Sequence, residues 1–139
     1  RYINYYDLII IDSTDPIGPG VGLFTIEFYR DCYTALNSTG ILINQHEGPF
    51  YEVDAREMIR AHAKLREVFE VCKVYQFHMP TYASGHWLFG FSSKGYDPVR
   101  DHKRQKWESL GLRTKYYNSD LHVGSFALPT YVQEMLENA

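Results

Sequence analysis

The stretch YDLIIIDSTDPIGP, residues 6–19, decides the fold of this chain. Its apolar run, residues 8–11, contains three β-branched side chains and predicts a strand buried on both faces of a sheet. Two carboxylates, Asp12 and Asp15, follow the run, and prolines and a glycine then predict a turn. Ligands of open α/β sheets bind at the carboxyl ends of strands, so we expect both carboxylates to face a binding crevice. An ordinary solvated turn that caps the next helix is the alternative interpretation.

Length and composition describe one domain with a hydrophobic core. The 139 residues carry a net charge of −3, which argues against a nucleic-acid or anionic-membrane surface, and no apolar run could span a membrane. Cys32 and Cys72 are too few for a disulfide framework and predict a cytoplasmic location. Because a doubly buried strand comes so early, we expect the C-terminal part of a longer polypeptide, whose missing N-terminal portion completes the sheet.

Two strand–helix units are followed by a pair of strands. Apolar periodicity predicts helices over residues 23–36 and 54–69. A charged helix is predicted over 100–110, and a helix with proline in its first turn over 128–137. Further strands are predicted over 41–47, 71–79 and 86–93. Gly40 ends the first helix, Asp54 and Glu57 form a capping box for the second, and residues 115–120 form a turn. The short connection between the last two strands predicts an antiparallel pair. The order predicts an α/β fold, the second half of a methyltransferase-like Rossmann sheet with an antiparallel edge strand.

Polar side chains follow three of the predicted strands, at what we call the rim of the sheet. They are Asp12 and Asp15 after the first strand, Gln45 and Glu47 at the end of the second, and Tyr82 after the third. Carboxylates, an amide and a phenol at one edge suit the recognition of an ammonium group or the activation of an amine.

Other kinds of site lack support in the sequence. The six histidines show no metal-ligand spacing, so we predict no metal; only His46 is close enough to the rim to support it, while His62 is predicted to pack at the edge of the core. No Gly-x-Ser-x-Gly motif follows a strand, which argues against a serine hydrolase. The glycines of residues 18–22 follow the wrong strand for a dinucleotide-binding loop.

Four motifs, in order, carry a resemblance to a known family. They are DSTDPIGP at residues 12–19, QHE at 45–47, PTYASG at 80–85 and YYNSDLH at 116–122. With them the chain resembles the C-terminal half of the polyamine aminopropyltransferase family, which includes the spermidine synthases. The departures are small: Gly20, His46 and Ala83 stand where the family commonly has alanine, a small residue and proline.

The resemblance implies a reaction and a set of site residues. The family transfers the aminopropyl group of decarboxylated S-adenosylmethionine, a co-substrate and not a cofactor, to a diamine such as putrescine; the products are spermidine and methylthioadenosine. Asp15 matches the catalytic aspartate, which takes a proton from the attacking amine. The implied substrate-binding residues are Asp12, Asp15, Gln45, Glu47 and Tyr82, with Asp12 and Pro19 at the donor. The resemblance also implies a homodimer or homotetramer.

Two alternatives stay open at the level of sequence. A diamine N-methyltransferase of the same lineage would keep the fold and use ordinary S-adenosylmethionine as donor. A non-catalytic dimerisation module would keep the fold without the reaction. The sequence also leaves the acceptor open among putrescine, cadaverine, agmatine and spermidine. Putrescine is favoured because it is the most frequent acceptor in the family.

Overall fold

The protein is described by a computed structural model for residues 2–13 and 18–139. The strands are β1 (Tyr6–Ile11), β2 (Leu36–Gln45), β3 (Val71–His78) and β4 (His86–Ser93). The α-helices are α1 (Ile26–Ala35), α2 (Glu52–Arg66), α3 (Arg104–Ser109), α4 (Ser119–Gly124) and α5 (Thr130–Glu137), and a 3-10 helix over Gly18–Phe24 precedes α1. None of the helices in these ranges is long and apolar enough to cross a membrane.

The four strands form one mixed sheet in the order β1-β2-β4-β3. β1 and β2 are parallel, whereas β4 is antiparallel to both of its neighbours, β2 and β3. The parallel register pairs Ile11 with Asn44, and the antiparallel register pairs Asn44 with Gly90. This topology confirms the predicted α/β class and the antiparallel pairing implied by the short β3–β4 connection.

Two apolar clusters attach helices to the sheet. In the first, Tyr29 of α1 and Leu65 of α2 pack with Leu42 of β2. In the second, Met58 of α2 and residues of α5 pack with Leu88 of β4. Burying each side chain of this size contributes about 1.5–3 kcal/mol. Because α2 belongs to both clusters, it holds the centre of the sheet, where β2 ends at the rim.

β1 differs from its prediction as a doubly buried strand. Within the described residues Leu8 and Ile10 are 48% and 63% exposed, and of the run only Ile11 joins the buried core, so burial on both faces stays a prediction for the longer polypeptide. Within the part of the chain that the structure describes, β1 has β2 as its one strand neighbour. Among the described residues, the main-chain N–H and C=O groups on the other edge of β1 therefore have no strand partner, and exposed apolar side chains lie next to them.

The first helix is shorter than predicted. Thr25 Oγ1 accepts a hydrogen bond from the Phe28 N–H at 3.2 Å, and this cap makes α1 begin at Ile26 and not at residue 23. β2 begins directly after α1, so Gly40 lies inside a strand and does not end the helix. A Cβ on Gly40 would lie 2.6 Å from Leu36 Cβ, which explains the glycine at this position.

The predicted capping box of Asp54 and Glu57 is also wrong. α2 begins earlier, with Tyr51 as its N-cap, and Asp54 lies inside the first turn, where its charge favours the helix dipole. The helix ends at Arg66 and not at residue 69.

The C-terminal helices begin at other residues than predicted, because polar side chains form a turn and a helix cap at other positions. Asp97 Oδ1 accepts the N–H groups of Val99 and Arg100, each at 2.9 Å, which forms a turn where the predicted helix 100–110 would begin. The predicted turn at residues 115–120 leads into α4 instead, because Asn118 Oδ1 caps that helix at the Leu121 N–H, 2.8 Å away.

Candidate active site

Two predicted site residues meet where β1 and β2 end. The register pairs Ile11 with Asn44, so the residues that follow them, Asp12 and Gln45, are neighbours at the rim. Asp12 is exposed, whereas Gln45 is buried. Asp15 and the side chain of Pro19 fall outside the described residues, so the roles of both stay predictions.

Gln45 and Glu47 form a buried polar pair at the end of β2. Gln45 Nε2 donates to Glu47 Oε1 at 3.5 Å, and the two residues are only 8% and 5% exposed. Glu47 has a φ of 64°, in the left-handed region that residues other than glycine rarely adopt. Such a conformation persists only where surrounding contacts determine it. A carboxylate buried in this way needs donors or a cation as partners.

Tyr82 lies in the connection between β3 and β4, in a turn that main-chain hydrogen bonds close. Met79 N donates to Gly85 O at 2.9 Å, Tyr82 N donates to Met79 O at 3.0 Å, and Gly85 N donates to Tyr82 O at 3.0 Å. Ser84 and Gly85 complete the turn with φ values of 71° and 66°. Tyr82 is 44% exposed on this hydrogen-bonded turn.

Trp87 connects Tyr82 with the segment that carries Glu47. Its ring lies 4.7 Å from that of Tyr82, at an interplanar angle of 64°. A Cβ on Gly48 would lie 3.1 Å from the Trp87 ring, so glycine permits this close packing. Leu88, the next residue of β4, donates its N–H to Glu47 O at 3.0 Å. The sequence did not single out Trp87, because its contacts depend on β4 lying next to β2.

A buried polar cluster of Asn44, His46 and His62 lies behind the Gln45–Glu47 pair. Asn44 Nδ2 is 2.8 Å from His46 Nδ1, and the rings of His46 and His62 are 5.7 Å apart and nearly perpendicular. Burial, and then the neighbouring His62, lowers the pKa of His46 to about 3. Burial, and then Arg66, lowers the pKa of His62 to about 4. Both imidazoles are therefore neutral near pH 7. The supporting position predicted for His46 agrees with the structure, whereas sequence reasoning missed Asn44.

The motif at residues 116–122 builds a different polar cluster. The Tyr117 hydroxyl is 3.0 Å from His122 Nδ1 and 3.3 Å from His102 Nε2, and the two imidazoles stack with centroids 4.1 Å apart. His122 Nε2 donates to Pro98 O at 2.8 Å. These contacts fasten the loop after β4 to α4. In the structure this motif therefore holds α4 and the loop after β4 together.

The rim can hold a cationic amine. The carboxylates of Asp12 and Glu47 attract an ammonium group. Because Gln45 donates through its nitrogen, its amide oxygen is an acceptor for a ligand, as is the Tyr82 hydroxyl oxygen. The structure thus brings Asp12, Gln45 and Glu47 to one edge and joins Tyr82 to it through Trp87.

Comparisons with known proteins identify relatives of the chain. The model of the family described as "Spermine/spermidine synthase domain" matches residues 1–103. The polyamine aminopropyltransferases of Alkaliphilus oremlandii and Clostridium perfringens are 63% and 66% identical over 134 and 135 residues, which is 96% and 97% of this chain and 47% of each relative. A crystal structure of spermidine synthase in complex with the transition-state analogue AdoDATO is 42% identical, with a TM-score of 0.92, over 99% of this chain and 47% of that one. The chain thus spans about half the length of the relatives it matches.

Proposed function

Because the chain belongs to the spermine/spermidine synthase domain family, we propose that it carries the amine-acceptor side of an aminopropyltransferase. In the proposed reaction, the aminopropyl group of decarboxylated S-adenosylmethionine moves to putrescine, and the products are spermidine and methylthioadenosine. The observation that supports this proposal best is the buried Gln45–Glu47 pair beside Asp12, which offers carboxylate and amide oxygens to a diamine.

We propose that residues 1–139 work as the C-terminal portion of a longer catalytic polypeptide, called the complete polypeptide below. The chain covers only 47% of each of its curated relatives. The open edge of β1, beside the exposed Leu8 and Ile10, offers main-chain groups and apolar surface to a further strand. The N-terminal portion would complete the sheet there and supply most of the donor site.

Proton transfer is the first requirement of the reaction. A primary amine like that of lysine has a pKa near ~10.4, so deprotonating it at neutral pH costs about 4–5 kcal/mol. Asp15 takes this proton, and the neutral nitrogen attacks the carbon next to the sulfonium. The carbon–sulfur bond breaks, and its electron pair returns the sulfur to the neutral thioether of methylthioadenosine. Decarboxylated S-adenosylmethionine is a co-substrate, so the reaction needs no separate cofactor.

The other rim residues hold the two substrates in line. Asp12 balances positive charge on donor and acceptor, and Pro19 contacts the donor. Gln45 and Tyr82 orient the attacking nitrogen by hydrogen bonds, while Glu47 attracts the distal ammonium. Fixing two reactants in a productive geometry can lower a barrier by about 7–11 kcal/mol, which is more than the deprotonation costs.

The complete polypeptide is proposed to form a homodimer or homotetramer, which light scattering would measure. Its proposed location is the cytoplasm. The thiols of Cys32 and Cys72 are both free, which fits a reducing compartment.

The choice of donor tests the proposed reaction against N-methylation of a diamine. The complete polypeptide is incubated with putrescine and either decarboxylated or ordinary S-adenosylmethionine, and the products are identified by mass. Spermidine formed from the decarboxylated donor supports the proposal. Methylputrescine without spermidine contradicts it in favour of a methyltransferase, and no product from either donor contradicts it in favour of a non-catalytic module.

A further inference from the structure

His46 is the middle residue of the QHE segment, yet its side chain points away from the two neighbours that carry the proposed site. Gln45 and Glu47 contact each other at 3.5 Å, whereas the His46 ring faces His62 of α2. Strand alternation places the Gln45 and His46 side chains on opposite faces, and the left-handed φ of Glu47 ends the alternation there. His46 is only 1% exposed and therefore lies behind the site, out of reach of a substrate.

The Asn44 side chain holds both the main chain after Gln45 and the His46 ring. Its Nδ2 donates to Gln45 O at 3.1 Å, and a carbonyl oxygen can only accept, which fixes the orientation of the amide. The same nitrogen then donates its second hydrogen to His46 Nδ1 at 2.8 Å. With Nδ1 as the acceptor, a neutral ring carries its proton on Nε2, which is buried and has no hydrogen-bond partner among the described residues.

Gly90 of β4 provides the space for this cluster. The register places it opposite Asn44. A Cβ at this position would overlap Asn44 Oδ1 and lie 2.5 Å from His46 Cε1. Protein interiors are close-packed, so a side chain at residue 90 and the cluster exclude each other. Asn44, His46 and Gly90 therefore pack as one unit, in which the glycine leaves room for the other two side chains.

We infer that His46 is a positioning residue, which fixes the main chain between Gln45 and Glu47 and so sets the amine-binding geometry of this pair. The inference rests on the proposed function, which assigns the pair to the diamine. The left-handed φ of 64° at Glu47 needs surrounding contacts to maintain it. The residue before it is held in place, because the His46 ring is buried and lies 2.8 Å from Asn44 Nδ2. Without the His46 ring, Glu47 relaxes toward an ordinary backbone conformation and its carboxylate leaves the amine site.

The test compares variants of the complete polypeptide that break the Asn44–His46 hydrogen bond. His46→Leu removes the acceptor and Asn44→Leu removes the donor, so the second variant keeps the test valid if the first fails to fold. Each is expected to weaken putrescine binding at least tenfold by calorimetry and to raise the KM for putrescine equally, with the donor KM within twofold of wild type. The double variant should bind no more weakly than Asn44→Leu alone, because that variant already breaks the bond to His46 together with the bond to Gln45 O. His46→Gln, which restores an acceptor, should recover most of the loss.

Met58→Ala is the matched control for destabilisation. Met58 is fully buried on the same helix as His62 but belongs to the apolar cluster. Its truncation is expected to lower Tm and to leave the dissociation constant of putrescine within twofold of wild type.

A His46→Leu variant that loses stability as Met58→Ala does, while binding putrescine within twofold of wild type, overturns the inference. The proposed reaction is tested separately, by spermidine formation in the wild type. A wild type that binds putrescine without forming spermidine contradicts the reaction, and the binding comparison still decides the role of His46. A wild type that binds no amine contradicts both.

Discussion

The ring of Trp87 lies edge-on to the ring of Tyr82, with centroids 4.7 Å apart. Such pairs contribute about 0.5–1.5 kcal/mol beyond the area that they bury. Trp87→Leu removes the pair, and because Tyr82 then loses its orientation we expect the KM for putrescine to rise about 2- to 12-fold. Trp87→Phe keeps a ring and should stay within twofold of wild type. Steady-state kinetics measure the KM of both variants. An unchanged KM for putrescine in Trp87→Leu would show that the Tyr82–Trp87 contact does not affect binding of the amine.

Glu47→Gln tests the charge at the buried end of the rim. Hydrogen bonds to charged groups contribute about 1.5–3 kcal/mol, so we expect the KM for putrescine to rise about 10- to 100-fold. The control is Glu57→Gln, because Glu57 makes a surface ion pair with Arg60 at 2.6 Å and should matter little. If the two variants had equal KM values for putrescine, the Glu47 carboxylate would not contribute to binding of the amine.

Gly90→Ala tests the packing behind the rim. The added methyl group would overlap Asn44 Oδ1 and the ring of His46, and overpacking of this kind costs about 1–3 kcal/mol of unfolding free energy. Gly124→Ala is the control, since a Cβ there has no atom within 4 Å among the described residues, and it should be neutral or slightly stabilising. Urea titrations of the complete polypeptide compare the two. Equal free energies of unfolding would mean that the cluster yields to the new methyl group.

The part of the fold and site that sequence could predict rests on local patterns. β4 was predicted with its observed bounds, residues 86–93, because apolar residues alternate between a Gly-containing turn and a polar segment. The sequence predicts that Gln45 and Glu47 lie at a strand end, because the apolar run 41–43 is followed by polar residues and then by Gly48-Pro49. Such patterns involve residues that are close in the sequence.

What sequence could not predict depends on which strands are neighbours. The contact of Gly90 with the Asn44 side chain follows from the β2–β4 register, which no single segment encodes. The exposure of Leu8 depends on what pairs with the outer edge of β1, whereas the apolar run by itself predicts burial. Asp15 rests on its place after the first strand and on its motif, and its role stays a prediction.

Two buried histidines make the stability of the fold depend on pH. Their pKa values of about 3 for His46 and about 4 for His62 lie below the value of about 6.5 for an unfolded chain. The unfolded state therefore binds more protons in acid, and the unfolding free energy falls as the pH drops from about 6.5 toward 4, by up to about 1.4 kcal/mol per pH unit for each histidine.

His62→Leu is the variant that measures this pH dependence. It removes one of the two titrating groups, so the slope of unfolding free energy against pH should decrease by about one proton. Urea titrations at a series of pH values give both slopes. A slope that matches the wild type would show that His62 is protonated equally in the folded and unfolded states.

Asp7→Asn is the matched control for the central claim, that Asp15 accepts the proton of the attacking amine. Asp7 lies near the start of β1, where its carboxylate accepts a hydrogen bond from Asn37. This contact is at the opposite end of the strand from the rim. Turnover of Asp7→Asn should stay within about twofold of wild type, because surface substitutions of this kind have small effects.

The most direct test of this claim is the turnover of Asp15→Asn in the complete polypeptide, measured as spermidine formed with decarboxylated S-adenosylmethionine and putrescine both saturating. Asparagine keeps the size of the side chain and cannot take the proton, so we predict a loss in kcat of about 10²- to 10⁴-fold with donor affinity retained. A kcat within about threefold of wild type would contradict the account, because the loss of a proton acceptor costs at least ~10².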